Sequence, residues 1–528
     1  DHESIRGKNK IMNIFKRVLI FLGVILLFGC GFIINNLSDR HPDYSVNISI
    51  KDNQPHPIKA GFAKVSITPS GFDTWNDVDS NAKYEPDDGD TYNDLNENSE
   101  FDPVWIAGFH NQRPAQGVHD DIWARVMVLE TGDTRLAIVG LDAVGFLHDE
   151  VVDIRKSLAE SLELDYCIIA STHNHEGPDL VGIWGESFLS SGVNPDYMED
   201  VKSKTKIAIE EAVAQLRPAK LRFAQDLVNG ARFVMDTRKP EELDAGLRII
   251  QAIDIEADTT LGSLVSWGNH PETLWSENLL ITSDFPHYIR ETVEKGIHRD
   301  GTTLVEGIGG TAVYMSSSVG GLMTTRPPFE IPDMFTGEML TGATFEKTEA
   351  QGQNIGYLLL RALSGDQSVD ITESSISIMA KTVLLPLENN YWKLGFALGV
   401  IKHGLSGWME VRTEVAAFKI GPASFLSIPG EIYPEIVNGG VVSPPGQDYP
   451  ISPIEVPYLR SIMDGQFKFV FGLANDEIGY IIPKSEWDVE PPYLYNADSS
   501  PYGEINSLGS KTGPIIYSHL VDLINKLK

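Results

Sequence analysis

The sequence predicts an α/β fold in which mixed sheets are flanked by helices, built as a single large domain with one inserted acidic segment. Strand-like apolar runs and amphipathic helical segments alternate along most of the chain, which is the pattern of α/β proteins. With 528 residues, 42% of them hydrophobic, the chain can bury a large core. It shows neither an internal repeat nor a Ser/Pro-rich linker that would divide this body.

Each element is predicted from its local pattern. Strands are expected where short runs are rich in Val, Ile, Leu and aromatic residues, at 135–144, 166–172, 220–226, 246–255, 261–270 and 312–317. Amphipathic periodicity predicts helices at 149–164, 195–216, 286–296, 346–364 and 514–527. Pro286 and Pro514 suit the first helical position, where a missing N–H costs nothing. Residues 415–429 are expected to form a hairpin.

The composition excludes two classes of protein. Lys and Arg total 42 against 74 Asp and Glu, so the formal net charge is −32 and a nucleic-acid backbone would be repelled. The 2 cysteines, Cys30 and Cys167, are too few for a disulfide framework. No feature of the sequence requires an obligate protein partner.

The N-terminal region has the pattern of an export segment. Basic residues ending at Lys16 and Arg17 precede the apolar run Val18–Ile34, which is long enough either to be cleaved or to remain as a membrane anchor. Leu27–Cys30 is similar to the site at which bacterial lipoproteins are acylated, so Cys30 is either lipidated or simply apolar. We therefore expect a signal or anchor segment at 1–41, a linker at 42–57 and the body at 58–528. The body is expected in the cell envelope, by anchor or lipidated cysteine, or secreted.

The acidic insertion at 73–102 contains two loops with the spacing of calcium ligands. Oxygen-bearing side chains recur at positions 1, 3 and 5, as needed to surround a hard cation. Ala82 and Ser99 stand at position 6, where glycine is usual. A solvated acidic loop is the alternative interpretation. The predicted calcium ligands are Asp77, Asp79, Asn81, Asp88, Asp94, Asn96, Asn98 and Asp102.

Two predicted strands end in histidine. The first continues into His173 and His175, and the second ends at His270. Sites in α/β folds are built at strand ends, so these imidazoles are candidates for a metal or catalytic centre. One His-x-His pair is weak evidence, but two strands that end in histidine favour a shared site.

Four segments, taken together and in order, resemble the neutral/alkaline non-lysosomal ceramidases. They are Ser171–Asp179 (STHNHEGPD), Gly268–Thr273 (GNHPET), Pro429–Glu431 (PGE) and Gly479–Ile482 (GYII). The resemblance extends from about residue 58 to the C-terminus. It implies a zinc amidase that cleaves the N-acyl bond of a ceramide-like lipid by metal-activated water. Because the chain ends soon after its last predicted helix, we expect a short form without the family's C-terminal immunoglobulin-like domain.

The same resemblance implies roles for individual residues. It makes His173, His270, Glu431 and Tyr480 the zinc ligands, with His175 as the base or proton donor to the scissile amide. Imidazole nitrogen and carboxylate oxygen are suitable donors for Zn²⁺.

Further residues match the family motifs more loosely. Arg232 is the expected carbonyl-binding arginine, with Arg238 as its competitor. Tyr502 is expected to contact substrate as part of a displaced Tyr-Gly-Glu segment, and His119, in Gly-Val-His, is expected to line the site.

One segment departs from the family pattern. The family's essential serine aligns with Met323. Ser318 or Thr324 would supply a hydroxyl instead, or the backbone amides of Gly320 and Gly321 would bind an oxyanion; a tight glycine turn is the alternative.

The sequence thus favours an exported zinc hydrolase acting on an N-acyl lipid such as ceramide or on another small amide. A different zinc hydrolase, such as an esterase, would differ from this prediction only in its substrate. The alternative from another class is a non-catalytic, calcium-stabilised envelope protein that binds a lipid or glycan.

Overall fold

The fold has four layers, helix–sheet–sheet–helix. We describe it from a computed structural model, which covers residues 15, 17 and 28–528. The larger sheet has ten strands and mixes parallel with antiparallel pairs. From edge to edge its strands are Thr311–Ser316, Thr260–Trp267, Leu247–Asp254, Arg217–Asp226, His56–Ser66, Trp123–Thr131, Thr134–Leu141 and Tyr166–Ser171, with Val369–Ile371 beside the fourth and Glu373–Ser374 beside the fifth.

The smaller sheet has six strands. It consists of Asn47–Ile50, Ile376–Pro386, Glu410–Ile420, Ala423–Ser427 and Phe467–Phe471 in spatial order, with Leu405–Gly407 paired to the third. The last two strands are parallel and the others are antiparallel. The predicted hairpin at 415–429 is therefore present, between Glu410–Ile420 and Ala423–Ser427.

The two sheets pack face to face. Buried side chains from both sheets form one apolar cluster, in which Phe223 of the larger sheet contacts Phe467 of the smaller at a ring-centroid distance of 5.6 Å. Within the smaller sheet, Phe425 stacks on Phe418 at 4.5 Å and on Phe469 at 4.8 Å. This central layer accounts for the long apolar runs of the sequence, because strands covered on both faces need not alternate with polar residues.

Helices cover the outer faces. Pro195–Ala214 and Phe345–Leu363 lie on the larger sheet, and Thr512–Leu527 lies on the smaller. The other α-helices after residue 37 are His148–Ser157, Phe285–Lys295, Asn390–Leu398, Pro434–Asn438, Leu459–Ile462 and Tyr502–Ile505. The predicted helix 149–164 ends early, because the chain becomes extended at Leu158 before a 3-10 turn at Glu160–Leu162.

Short two-stranded ladders connect the layers. The pair most relevant to the site is Glu431–Ile432 with Tyr480–Ile481, which run parallel. The others are Met235–Asp236 with Met323–Thr324, Leu280–Ile281 with Gly117–Val118, Gly296–Arg299 with Thr302–Glu306, Ile331–Pro332 with Met339–Leu340, and Thr74–Asn76 with Thr91–Asn93.

The ordered body begins earlier than predicted. Residues 28–37 are helical and Cys30 is exposed, whereas residues 18–27 of the apolar run lie outside the described part of the chain. None of the helices described is long and apolar enough to cross a membrane. The prediction of a linker at 42–57 is wrong in its middle, because Asn47–Ile50 pairs with Ile376–Pro386 as an edge strand. Arg412 also pairs with Asp39, which fixes the preceding segment to the body.

The buried His403 lies between the helix His148–Ser157 and the loop that contains Asp476, and it makes the free energy of unfolding depend on pH. His403 lies 3.5 Å (Nε2) from Asp476 Oδ2 and 4.0 Å (Nδ1) from Asp149 Oδ2. Burial alone would lower the pKa of His403, but the two carboxylates raise it to about 9. Since the folded pKa exceeds the unfolded value, this stabilisation is complete below about pH 6.5 and is lost as pH rises through 9.

We therefore expect wild type to exceed His403→Gln in free energy of unfolding by an amount that shrinks by roughly 3 kcal/mol between pH 6 and pH 10. Urea denaturation of both proteins at the two pH values measures this change. A difference that is equal at both values would show that His403 does not carry the charge.

Candidate active site

Two sheets contribute side chains to one site. In the larger sheet, Tyr166–Ser171 continues into His173 and His175, and Thr260–Trp267 continues to His270. The smaller sheet's strand Ala423–Ser427 leads to Glu431, which lies opposite Tyr480 in the parallel ladder described above. Residues distant in the sequence meet because these strands end on the same side of the body.

The three histidines form a buried cluster. One ring nitrogen from each of His173, His175 and His270 lies within 4.8 Å of the others. The Nε2 atoms of His173 and His175 are 3.3 Å apart. Glu431 Oε2 completes the group, at 3.1 Å from His270 Nε2 and 3.4 Å from His173 Nε2.

The outer nitrogens of the cluster show which tautomers are present. His173 Nδ1 donates to the Val144 carbonyl at 2.6 Å, and His270 Nδ1 donates to the Met323 carbonyl at 2.7 Å. A carbonyl oxygen only accepts, so each Nδ1 carries a proton, and each ring, in its neutral form, presents its Nε2 lone pair inward. Lone pairs aimed at each other and at a carboxylate repel unless a cation lies between them. This is the outer-contact pattern of metal-bound histidines, so the residues fit a divalent metal ion.

His175 differs from the other two in its outer partner. Its Nδ1 lies 3.2 Å from Glu272 Oε2, so a carboxylate rather than a carbonyl faces this ring. Burial lowers the pKa of His175 to about 4 despite that carboxylate, which leaves the ring neutral near pH 7. A neutral imidazole with a carboxylate beside it is able to accept a proton.

The backbone of His175 is held from two sides. The Arg113 guanidinium, which is fully buried, donates to the His175 carbonyl at 2.6 Å and lies 3.6 Å from Glu176. A Cβ on Gly108 would come within 2.5 Å of the His175 side chain, so only glycine allows this close approach. His173 adopts a left-handed backbone with φ 67°, a conformation uncommon outside glycine and often found at functional sites.

Charges in the cluster shift further pKa values. Burial opposes ionisation of Glu431, but the neighbouring imidazoles hold its pKa well below the usual range. Burial raises the pKa of the Tyr480 phenol, and the Glu431 carboxylate raises it further. Burial and the Glu431 charge likewise raise the pKa of Glu477, one of whose oxygens has no hydrogen-bond partner.

The cluster lies in a cavity of about 540 Å³. We call it the active-site cavity. Its walls are mainly apolar and aromatic, whereas its polar groups are concentrated at the histidine cluster and in a few side chains beyond it. The apolar wall comprises Phe109, Val144, Val181, Ile183, Trp184, Trp275, Leu322 and Trp392. The other polar residues include His110, Thr237, Glu272, Ser276, Thr324, Arg326, Tyr502 and Asn506. A large apolar cavity with a few convergent polar groups is typical of a ligand-binding site.

Comparison with solved structures gives this architecture a precedent. Neutral ceramidase from Pseudomonas aeruginosa superimposes with a TM-score of 0.60 and 16% sequence identity, over 90% of this chain and 74% of that chain. A ceramidase complexed with C2 gives a TM-score of 0.59 and 15% identity, over 89% and 75%. The chain has a neutral-ceramidase-like fold. No family model and no curated protein sequence matches it.

This finding confirms the predicted resemblance at the level of fold, which is what such low identity establishes. The structure also brings together the five residues that the ceramidase motifs indicated: His173, His175, His270, Glu431 and Tyr480 all line the active-site cavity. Tyr502 lines it too, with its side chain 52% exposed and its ring 5.9 Å from that of Tyr480.

Neither predicted carbonyl-binding arginine lines the cavity. Arg232 is exposed on the 3-10 turn Asn229–Phe233. Arg238 lies over the Tyr433 ring and pairs with Glu435 and Glu486, so its charge is already neutralised. The prediction of Arg232 is therefore wrong in position, and the arginine of the cavity wall is Arg326.

His119 is also misplaced by the sequence prediction. Its ring stacks on Phe345 at 3.7 Å and is 3.0 Å from Asp120, and it is exposed and does not line the cavity. Besides the three cluster histidines, His110 lines the cavity, and the sequence analysis did not select it.

The glycine pair has a packing role. Gly320 N donates to the Ile432 carbonyl, so it is not free to bind an oxyanion, and a Cβ there would lie 2.6 Å from the Glu431 carbonyl. Gly321 has φ 83° and turns the chain beside Asp236, and it does not line the cavity. The oxyanion prediction is corrected: Gly320 lets its segment pack against the Glu431 backbone, and Gly321 supplies the turn that follows.

Met323 has taken a positioning role through its backbone. Its side chain is buried in the core, and its carbonyl holds His270. Ser318 Oγ donates to Asp244 away from the cavity. Thr324 lines the cavity and carries the hydroxyl nearest in sequence to Met323, the residue with which the family's serine aligns.

Sequence reasoning missed Glu272 as the partner of His175, although its place directly after His270-Pro271 was a signal.

The acidic loops lie apart from the active-site cavity. Asp77 accepts from the amides of Asn81 and Ala82, and Asp94 accepts equivalently from Asn98 and Ser99. Ala82 and Ser99 adopt φ of 59° and 66°, the conformation for which glycine was expected.

Asp88, the ligand expected at the end of the first loop, stays a prediction. It is exposed on the turn Pro86–Asp88, whereas Asp90 is buried and accepts from the backbone amides of Val78 and Glu85. The other predicted ligands, Asp79, Asn96 and Asp102, take part in hydrogen bonds within the loops. Calcium binding itself stays a prediction.

If the loops bind calcium, adding it to chelator-treated protein should raise the melting temperature by a few degrees, because a ligand stabilises the state that binds it. Asp77→Asn combined with Asp94→Asn should abolish the increase, and Asp258→Asn, on an unrelated exposed turn, should retain it. An identical melting temperature with and without calcium would favour the solvated-loop interpretation.

Proposed function

We propose that this protein is a zinc-dependent hydrolase that cleaves the amide bond of an N-acyl lipid or related N-acyl amide. The observation that carries the proposal is the convergence of His173, His270 and Glu431 at the base of the apolar active-site cavity. The neutral-ceramidase-like fold supports it, since the similar proteins are named as ceramidases.

The metal would be held by His173, His270 and Glu431, with Tyr480 as the fourth donor. Nitrogen and oxygen donors of this kind suit Zn²⁺. Zinc, when bound, supplies a Lewis acid that lowers the pKa of water and polarises a carbonyl. The Val144 and Met323 carbonyls fix the two imidazoles in the tautomer that this binding requires.

His175 would handle the proton. Its ring is neutral, and the nearby Glu272 carboxylate would stabilise the imidazolium formed when the ring accepts a proton from the attacking water. The His175 ring then returns that proton to the leaving amine as the amide C–N bond breaks. Arg113 keeps the ring in place by holding its backbone carbonyl.

The cavity wall supports an acyl chain as part of the substrate. Val144, Val181, Ile183 and Trp392 offer an apolar surface next to the histidine cluster, on which methylene groups would be removed from water at a gain of about 0.8 kcal/mol each. Ceramide and simpler N-acyl amides share this feature. The sequence pattern at the N-terminus further supports export to the cell envelope as part of the proposal.

The experiment is hydrolysis of N-lauroylsphingosine and N-lauroylethanolamine by purified protein, measured as laurate release. Chelator-treated protein should be inactive, and stoichiometric Zn²⁺ should restore laurate release on at least one substrate. Equal release by the metal-free protein would contradict the metal-dependent mechanism. Absence of release from any N-acyl amide by zinc-loaded protein would favour the non-catalytic binding protein instead.

A further inference from the structure

The active-site cavity carries one cationic side chain for which the proposed reaction has no use. Arg326 follows the segment whose Met323 carbonyl holds His270 and whose Thr324 lines the cavity. Its backbone N–H donates to Thr324 Oγ1 at 3.1 Å, which fixes the turn, while its guanidinium lies 5.7 Å from the centre of the Trp275 ring.

Arg326 is unpaired in a strongly acidic protein. Acidic residues outnumber basic ones 74 to 42, and arginines such as Arg113 and Arg460 pair with carboxylates, whereas Arg326 is exposed where it lines the cavity. Among the described residues, no carboxylate oxygen is close enough to the Arg326 guanidinium to form an ion pair, for which the N···O distance must be 4.0 Å or less. An arginine on a cavity wall with no protein anion beside it retains its full capacity to bind one from a ligand.

Arg326 is connected to the histidine cluster through aromatic contacts. The Phe109 ring lies 5.4 Å from that of His175 and 4.9 Å from that of Trp275, and the Trp275 ring is the one beside the Arg326 guanidinium. The acidic side chains of the cavity, Glu272, Glu431 and Glu477, belong to the cluster end. Arg326 is the one lysine or arginine among the described residues that line the cavity, so it is the side chain placed to attract an anionic group of a ligand.

We propose that Arg326 and Trp275 form a carboxylate subsite, so that the preferred substrate is an anionic N-acyl amide, such as an N-acyl amino acid, rather than a neutral one. The planar guanidinium matches a carboxylate in shape, and the Trp275 face holds the guanidinium in place. This inference rests on the proposed function for its meaning, but the binding site itself can be tested without turnover.

The kinetic test uses matched pairs of substrates: N-lauroylglycine and N-lauroyl-6-aminohexanoate, each against its uncharged primary carboxamide. Zinc-loaded wild type should hydrolyse at least one anion with a kcat/KM about tenfold or more above that of its amide. Arg326→Leu should raise KM for that anion about tenfold and leave the neutral amide unchanged. Arg217→Leu, which removes an exposed arginine from the sheet edge, is the matched control and should alter neither.

Two results would overturn the subsite: an unchanged ratio between anion and amide in Arg326→Leu, or an equal fall in kcat on both, which would place Arg326 at the scissile carbonyl. Calorimetric binding to zinc-free protein covers the case in which no substrate is hydrolysed. Wild type should then bind N-lauroylglycine about tenfold more tightly than N-lauroylglycinamide, and Arg326→Leu should bind them equally. Loss of hydrolysis with this binding pattern intact would refute the proposed function but not the subsite, whereas equal binding by wild type would refute the subsite.

Discussion

Replacing His173 with alanine is expected to remove both bound zinc and amide hydrolysis. His173 is the residue whose Nε2 lies close to both His175 Nε2 and Glu431 Oε2, so its loss opens the centre of the cluster. The zinc content should fall from about one ion per chain to none, and the rate of laurate release should fall to the metal-free background. Metal analysis after gel filtration and the hydrolysis assay measure the two effects on the same sample.

His298→Ala is the matched control for this substitution. His298 is an exposed histidine on the hairpin Gly296–Glu306, bonded to Thr303 and the Lys295 carbonyl. It should retain both zinc and activity. Undiminished zinc in His173→Ala, with a normal melting curve, would mean that the ion is held elsewhere and would refute the ligand assignment.

Replacing His175 with glutamine should separate metal binding from catalysis. Because the ceramidase motifs leave His175 off the metal and the Glu272 carboxylate beside it would stabilise its imidazolium, we assign His175 to proton transfer. Zinc should stay near one ion per chain, while kcat falls by roughly 10²- to 10⁴-fold, the usual contribution of general acid–base catalysis. Steady-state kinetics and metal analysis of the variant test both parts.

Glu272→Gln is the companion variant, since an amide is able to bond the ring but not to stabilise its charge. It should retain zinc and lose a smaller part of kcat than His175→Gln. If His175→Gln instead lost its zinc, His175 would be a metal ligand, as its place within the three-histidine cluster also allows, and the proton would have to be handled by another group.

Much of the fold could be predicted from local pattern. The predicted strand at 166–172 and the predicted helix at 346–364 correspond closely to Tyr166–Ser171 and Phe345–Leu363, because strand and helix periodicities were strong there. The pairing of two sheets into a central layer could not be predicted, since strands buried on both faces carry no mark of their partners. The edge strand Asn47–Ile50 was missed because it is short and only partly buried.

The candidate site could be predicted where residues able to bind a metal directly follow a predicted strand. His173 and His270 follow buried strands, and their positions at the site follow from that alone. Arg232 was selected by its neighbours in sequence, but no local pattern distinguishes an exposed arginine on a turn from one on a cavity wall. Arg326 and Trp275 lie on irregular segments, whose course depends on tertiary packing rather than on periodicity. Such residues become visible only in three dimensions.

The most direct measurement is an anomalous difference map from crystals of zinc-loaded protein, recorded at the zinc absorption edge. The account predicts one strong peak, about 2.0–2.2 Å from His173 Nε2, His270 Nε2 and a Glu431 oxygen. A map with no peak among these three side chains, or with zinc bound only at another place in the chain, would contradict it.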